Sequence, residues 1–97
     1  MFIRIVKLSF KPEHIEEFLA NFESNKFQIR NFEGCKKLKL FRDKDRDNLF
    51  FTYSHWRSVT DLENYRNSEL FKSVWAKTKI LFNDKPEAWS VDNLEEL

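Results

Sequence analysis

The 97-residue sequence predicts a single α+β domain, residues 1–97, with the element order β-α-β-β-α-β. Two observations lead to this prediction. Four short segments are rich in β-branched and aromatic residues with partial alternation, which is typical of strands. The segments between them repeat apolar residues every three or four positions, which is typical of amphipathic helices. A chain of this length corresponds to one domain.

The first strand is predicted over residues 2–10, FIRIVKLSF. Because side chains alternate along a strand, both of its faces carry apolar residues: Phe2, Val6, Leu8 and Phe10 on one, Ile3 and Ile5 on the other. A helix follows, since Pro12 suits a first helical turn and apolar residues then recur at helical spacing to about residues 28–30.

The next two strands are predicted on either side of a charged loop. Gly34, the only glycine, indicates a turn with unusual backbone angles just before the second strand, residues 35–42. The charged run 43–48 predicts a hairpin loop. Residues 48–56 predict the third strand, which again has aromatic residues on both faces.

Two serines mark the helical starts that follow. Ser58, with Asp61 three residues later, resembles a helix N-terminus, and we expect Val59 and Leu62 to point inward from this short helix. Ser68 is predicted to cap a second helical segment, in which apolar residues again recur at helical spacing.

The last strand, residues 87–92, completes the ferredoxin-like β-α-β-β-α-β order. In that arrangement both helices lie on one face of the sheet. Since the strands are apolar on both sides, we expect a homodimer in which two sheets pack face to face as a dimeric α+β barrel.

Composition excludes several classes of function. Basic and acidic residues are balanced, 17 against 16, which argues against a nucleic-acid partner. Cys35 is the only cysteine, so no internal disulfide or paired-cysteine metal site is expected. No apolar stretch approaches membrane-spanning length and the first residues do not have a signal-peptide pattern, so we expect a cytoplasmic protein without a membrane partner.

Three stretches together resemble the antibiotic biosynthesis monooxygenase (ABM) family of dimeric α+β barrels. FEGCKKLKLFRD (32–43) is similar to the family's turn glycine and second strand, and FFTYSHWRS (50–58) to its third strand, which ends in a tryptophan. In LENYRNSELFK (62–72), Tyr65, Ser68 and Phe71 match a family pattern in which a helical residue, often His, precedes Ser and Phe.

The resemblance implies oxygenation of a small aromatic ligand, a phenol or quinol, by O2 without a cofactor. A deprotonated aromatic diol is reducing enough to pass an electron to O2, so such a site needs an apolar pocket, a base and hydrogen-bond donors. We therefore expect no cofactor and no metal. The sequence also has no cysteine–histidine metal motif, glycine-rich phosphate loop or dinucleotide fingerprint.

His55 is the candidate catalytic base, because it is the only histidine on a predicted strand and its pKa lies near neutrality. The alternative is a histidine that forms a hydrogen bond across the dimer face. Five aromatic residues are candidates for substrate binding, although each is also compatible with a place in the core: Trp56, Tyr65, Phe71, Trp75 and Phe22.

Two departures from the family pattern favour an alternative function. Ser54 stands where the family often has an acidic residue two positions before the tryptophan, and Tyr65 replaces the helical histidine. A non-catalytic dimeric module that binds small molecules is therefore the second hypothesis. Haem degradation is disfavoured, because the first strand has no asparagine and Trp75 occupies the position of the iron-binding histidine in that branch.

Overall fold

The computed structural model describes all 97 residues and contains one four-stranded antiparallel sheet in the order β2-β3-β1-β4. The elements are β1 (Phe2–Ser9), α1 (Ile15–Arg30), β2 (Cys35–Arg42), β3 (Leu49–Trp56), α2 (Val59–Arg66), α3 (Glu69–Lys79) and β4 (Glu87–Val91), with a 3-10 turn over Pro12–His14 before α1. This confirms the predicted α+β, ferredoxin-like order.

Alternation along the strands divides the sheet into two faces. The covered face carries the helices, and its buried side chains pack against them: Leu8, Phe10 and Phe50 contact Ile15, Phe18 and Leu81. The open face carries the alternate residues, on which no helix packs: Ile3, Ile5, Phe51, Tyr53, His55 and Trp89. The expected division of apolar residues between two faces is therefore present.

Serine side chains begin both α2 and α3, as predicted. The Ser58 hydroxyl accepts a hydrogen bond from the backbone N–H of Asp61 at 3.1 Å, and the Ser68 hydroxyl accepts one from the N–H of Phe71 at 3.1 Å. Leu62 is buried, but the prediction for Val59 was wrong, since its side chain is 66% exposed. Val59 lies about 200° around the helix from Asp61, on the solvent side.

A charged cluster joins the end of β3 to the turn before β2. The Arg57 side chain donates hydrogen bonds to both carboxylate oxygens of buried Asp61, at 2.8 and 2.9 Å, and the Arg57 backbone N–H donates to the carbonyl of Gly34. These bonds from Arg57, followed by one from Ser58, lower the pKa of Asp61. Gly34 has φ +89°, a backbone conformation that favours glycine, and a Cβ at this position would overlap the Asp61 side chain. Both facts explain why the residue is glycine.

Candidate functional site

A cavity of about 340 Å³ lies between the covered face and the helices. Residues of β1, β2, β3, β4 and all three helices line it, and 13 of the 20 lining residues are hydrophobic. Its volume is at the lower end of the range of roughly 300–1,000 Å³ that is usual for small-molecule sites. The cavity therefore has the size and wall chemistry for a compact, largely apolar ligand.

Trp56 lies deep in the cavity wall, at the end of β3, with 1% of its surface exposed. Its indole Nε1–H donates a hydrogen bond to the hydroxyl of Ser54 at 3.0 Å, which satisfies a buried donor. Ser54 and Trp56 are two residues apart, so the strand directs both of them to the covered face. The bond fixes the orientation of the buried indole on which Tyr65 stacks.

Tyr65 reaches the cavity from α2 and stacks on Trp56 with 5.1 Å between ring centroids. Its hydroxyl has no hydrogen-bond partner in the protein. Every buried side-chain nitrogen or oxygen does have a partner, so the Tyr65 hydroxyl is not buried and is accessible to a ligand. Burial, and to a smaller extent the Cys35 thiolate charge, raises the pKa of Tyr65. The side chain therefore stays protonated and can donate a hydrogen bond to a ligand.

The remaining wall comes from α1 and α3. Phe71 and Trp75 are four residues apart, and their rings lie nearly parallel with 5.9 Å between centroids. Phe71 also meets the Tyr65 ring edge-on at 5.2 Å, and Phe22 closes the wall from α1. The structure thus brings all five aromatic candidates for substrate binding to one cavity.

His55 does not line this cavity. It lies on the open face of β3, where its Nε2 is 3.0 Å from the Tyr53 hydroxyl. Because successive residues of a strand point to opposite faces, the sheet itself separates His55 from Trp56. Desolvation, and then the charges of Lys37 and Lys39, lower the pKa of His55. A ligand in the cavity would therefore have no direct contact with the candidate base.

The two arginines that line the cavity, Arg4 and Arg66, were not predicted from the sequence. The Arg4 guanidinium donates a hydrogen bond to the Ser90 hydroxyl at 3.0 Å and makes no ion pair, and Arg66 lies 3.7 Å from a Glu63 carboxylate oxygen. Arg4 shares its face with Val6 and Leu8. The sequence signal that could have identified Arg4 is a charged residue at a strand position whose alternate neighbours are core residues.

The cavity can hold an aromatic ring and donate hydrogen bonds to it, but it offers no histidine. Glu87 is its only carboxylate residue, and that carboxylate lies 3.8 Å from the Lys7 ammonium group. No group of three or more His, Cys, Asp or Glu side chains has an arrangement suited to a metal ion. None of the helices is long and apolar enough to cross a membrane.

The sequence matches the family model described as antibiotic biosynthesis monooxygenase over residues 1–77. The chain belongs to this family. The matched residues run from β1 into α3 and include all six aromatic residues of the cavity, so the family assignment covers the candidate site. No curated protein matches the sequence.

Solved structures share the fold at low sequence identity. A candidate antibiotic biosynthesis monooxygenase from Nitrosomonas europaea superposes with a TM-score of 0.90 at 16% identity, covering 98% of this chain and 100% of the other. One from Caulobacter crescentus gives 0.89 at 20%, covering 97% and 90%. A conserved protein from Methanosarcina mazei gives 0.88 at 20%, covering 95% and 92%. At these identities the likeness shows the fold alone.

Proposed function

We propose that this chain is a cofactor-independent monooxygenase that oxidises a small phenol or quinol with O2 in the cavity. The observation that supports the proposal most is the set of six aromatic side chains that line one cavity in a member of a monooxygenase family. Each aromatic contact with a substrate ring contributes about 0.5–1.5 kcal/mol beyond the burial of apolar area.

The contacts suggest how the substrate is oriented. Its ring lies against the parallel pair Phe71 and Trp75, while the accessible Tyr65 hydroxyl donates a hydrogen bond to the substrate oxygen. That donor stabilises the negative charge which develops on the oxygen as the phenol ionises. Because the pKa of Tyr65 is raised, the tyrosine does not take the proton.

The reaction is balanced without an external reductant. The phenol proton passes to water, because the cavity presents no histidine and no unpaired carboxylate. The phenolate then gives one electron to O2, and the aryloxyl radical and superoxide combine at a ring carbon. The peroxide loses water, so one oxygen atom remains in the quinone and the other leaves as H2O. All four electrons that reduce O2 come from the substrate.

Oxidation of 1-naphthol tests this proposal. We expect the protein to consume one O2 for each 1,4-naphthoquinone formed, at a rate well above that of the protein-free solution. With ¹⁸O2, one of the two quinone oxygens should be labelled and no H2O2 should accumulate. Trp75→Leu, which keeps the cavity apolar but removes an aromatic wall, should lower the rate. Equal rates with and without protein, for phenols and quinols alike, would contradict the proposal.

A non-catalytic binding module is the second candidate, and the position of His55 favours it. With the candidate base on the open face, the cavity offers hydrogen-bond donors but no proton acceptor near neutrality. Calorimetry separates the two functions. Binding of 1-naphthol without O2 uptake above the protein-free rate supports the module, whereas binding with turnover supports the enzyme.

We also propose that the chain functions as a homodimer joined through the open face. Phe41 and Trp89 on that face are 46% and 43% exposed, and they border the half-buried residues Ile3, Ile5 and Tyr53. Exposed apolar side chains of this kind are unfavourable in water unless they are covered, and Lys7, Lys37 and Lys39 lie beside them on the same face. Light scattering on the eluted protein should give about twice the chain mass of 11.9 kDa; a mass equal to one chain at micromolar concentration would contradict the dimer.

A further inference from the structure

The cavity wall is interrupted by a positive charge on β1. Arg4 lies opposite Ser54 of β3 and Ser90 of β4, and it shares the covered face with Val6 and Leu8. This position lines the cavity, where an apolar side chain would complete the wall. An arginine there costs desolvation energy, so its presence calls for a partner of opposite charge.

Arg4 is close to the opening of the cavity. Every residue of β4 is exposed, including Ala88, which lines the cavity and lies opposite Val6, so the helices leave this edge of the covered face uncovered. Arg66, at the end of α2, lines the cavity with about half of its side chain exposed. Arg4 and Arg66 thus line the same cavity; desolvation and then the charge of Arg66 lower the pKa of Arg4, while the Glu63 carboxylate raises it.

The positive charge at this opening is only partly balanced. Arg4 makes no ion pair, and its one side-chain hydrogen bond is to Ser90. Arg66 has Glu63 at 3.7 Å, an exposed pair across one helical turn that contributes little to stability. The carboxylate of Glu87 is paired with Lys7. Since each guanidinium has five N–H donors, several remain free beside the cavity.

We propose that the cavity takes an aromatic carboxylic acid, with the ring between the aromatic side chains and the carboxylate on Arg4 and Arg66. This inference rests on the proposed function and narrows its substrate to a phenol that also carries a carboxylate. The planar guanidinium presents two parallel N–H groups that match the two oxygens of a carboxylate. The ligand charge would offset the repulsion between the two arginines.

A matched pair of ligands tests the charge requirement. Calorimetry with the whole chain compares 1-naphthoate with 1-naphthalenemethanol, which has the same ring but no charge. We expect naphthoate to bind about tenfold more tightly or better, since hydrogen bonds to charged groups contribute roughly 1.5–3 kcal/mol. Equal affinities, or no binding of naphthoate, would overturn the proposal.

Arginine variants show which residues are responsible. Arg4→Gln and Arg66→Gln should each weaken naphthoate binding by about tenfold while changing the affinity for the alcohol by less than about twofold. Arg46→Gln is the control, because it removes the same charge from the exposed hairpin loop. Equal weakening of both ligands by Arg4→Gln would indicate a purely structural arginine and would contradict the proposal.

A third probe distinguishes carboxylate from phosphate. If 1-naphthyl phosphate binds more than about tenfold more tightly than naphthoate, and Arg4→Gln removes that difference, the cavity selects a phosphate and the carboxylate assignment is wrong. Turnover is measured separately with 1-naphthol and with 5-hydroxy-1-naphthoate, which carries both the phenol and the carboxylate. Charge-selective binding without O2 uptake from either compound supports this inference and contradicts the proposed oxygenation. O2 uptake without charge-selective binding supports the oxygenation and contradicts this inference.

Discussion

The two faces of the sheet use the same strands for different purposes. The covered face buries Trp56 and Ser54 against the helices and leaves a cavity of about 340 Å³. The open face presents Tyr53 and His55, which contact each other and remain partly accessible. All four residues belong to the run 53–56 of β3. Neighbouring residues in this sequence therefore belong to different surfaces of the molecule.

This comparison shows that alternation, and not proximity in sequence, decides which aromatic residues can share a ligand. A shift of one residue in the pairing of β3 would exchange the two sets of side chains. The pairing of Phe2 with Trp56 and of Ile3 with His55 fixes the present assignment. His55 therefore cannot take part in chemistry inside the cavity. Likewise, Trp56 cannot take part in association through the open face.

Removal of the buried indole should have the largest effect. Trp56→Ala should lower the free energy of unfolding by about 3–5 kcal/mol, because it leaves a cavity under α2. Urea denaturation at fixed protein concentration measures the change. Trp89→Ala, on the open face, is the matched control and should cost less, with an unfolding midpoint that depends less on protein concentration because the proposed dimer is weakened. The same loss for both variants would contradict the division into two faces.

A charge on the open face should separate the proposed dimer. Ile5→Glu would place a carboxylate in the apolar surface and weaken association by about 3 kcal/mol, or more than 100-fold. Light scattering should then give the mass of one chain, with the far-UV circular dichroism unchanged. Lys44→Glu, in the hairpin loop, should leave the dimer intact. A dimer that survives Ile5→Glu would place the interface elsewhere.

Two hydroxyl deletions on adjacent residues sharpen the comparison. Ser54→Ala leaves the buried Trp56 N–H without a partner and should cost about 1–3 kcal/mol of unfolding free energy. Tyr53→Phe removes the hydrogen bond to His55 on the partly accessible face and should cost about 0.5–1 kcal/mol. Thermal or urea unfolding of both variants gives the order. A larger loss for Tyr53→Phe would show that the open face is the better ordered one.

The smallest effect concerns pH. The pKa of His55 is lowered by desolvation and by Lys37 and Lys39, so the unfolded state binds this proton more tightly than the folded state. The contribution to stability is fully present above about pH 6.5, the ordinary histidine pKa, and decreases as the pH falls below it. His55→Gln should flatten the dependence of the urea midpoint on pH between about 7 and 5. An unchanged slope would assign that dependence to other groups.

The sequence predicts much of this arrangement, because its signals are local. Alternation in residues 50–56 predicts that His55 and Trp56 face opposite ways, and serine caps predict where α2 and α3 begin. Helical spacing puts Phe71 and Trp75 on one face. These features can be predicted because each depends only on the backbone geometry of a few consecutive residues.

The cavity itself depends on how separate elements sit together, which no local pattern specifies. Arg4 was not predicted, because a half-buried cation interrupts the apolar alternation of Val6 and Leu8 on this face of β1. The exposure of Val59 depends on the rotation of a short helix about its axis. The edge of the covered face at Ala88 is left open by the placement of α2 and α3. The sequence of β4 contains no information about that placement.

Rates of 1-naphthol oxidation by two single variants test the central claim most directly, that any chemistry belongs to the covered face. Tyr65→Phe removes the accessible donor in the cavity and should lower the rate about tenfold or more. His55→Ala should keep the rate within about twofold, once both variants are shown by light scattering to have the same mass as the native protein. Loss of turnover in His55→Ala with full activity in Tyr65→Phe would place the reaction on the open face and contradict the account.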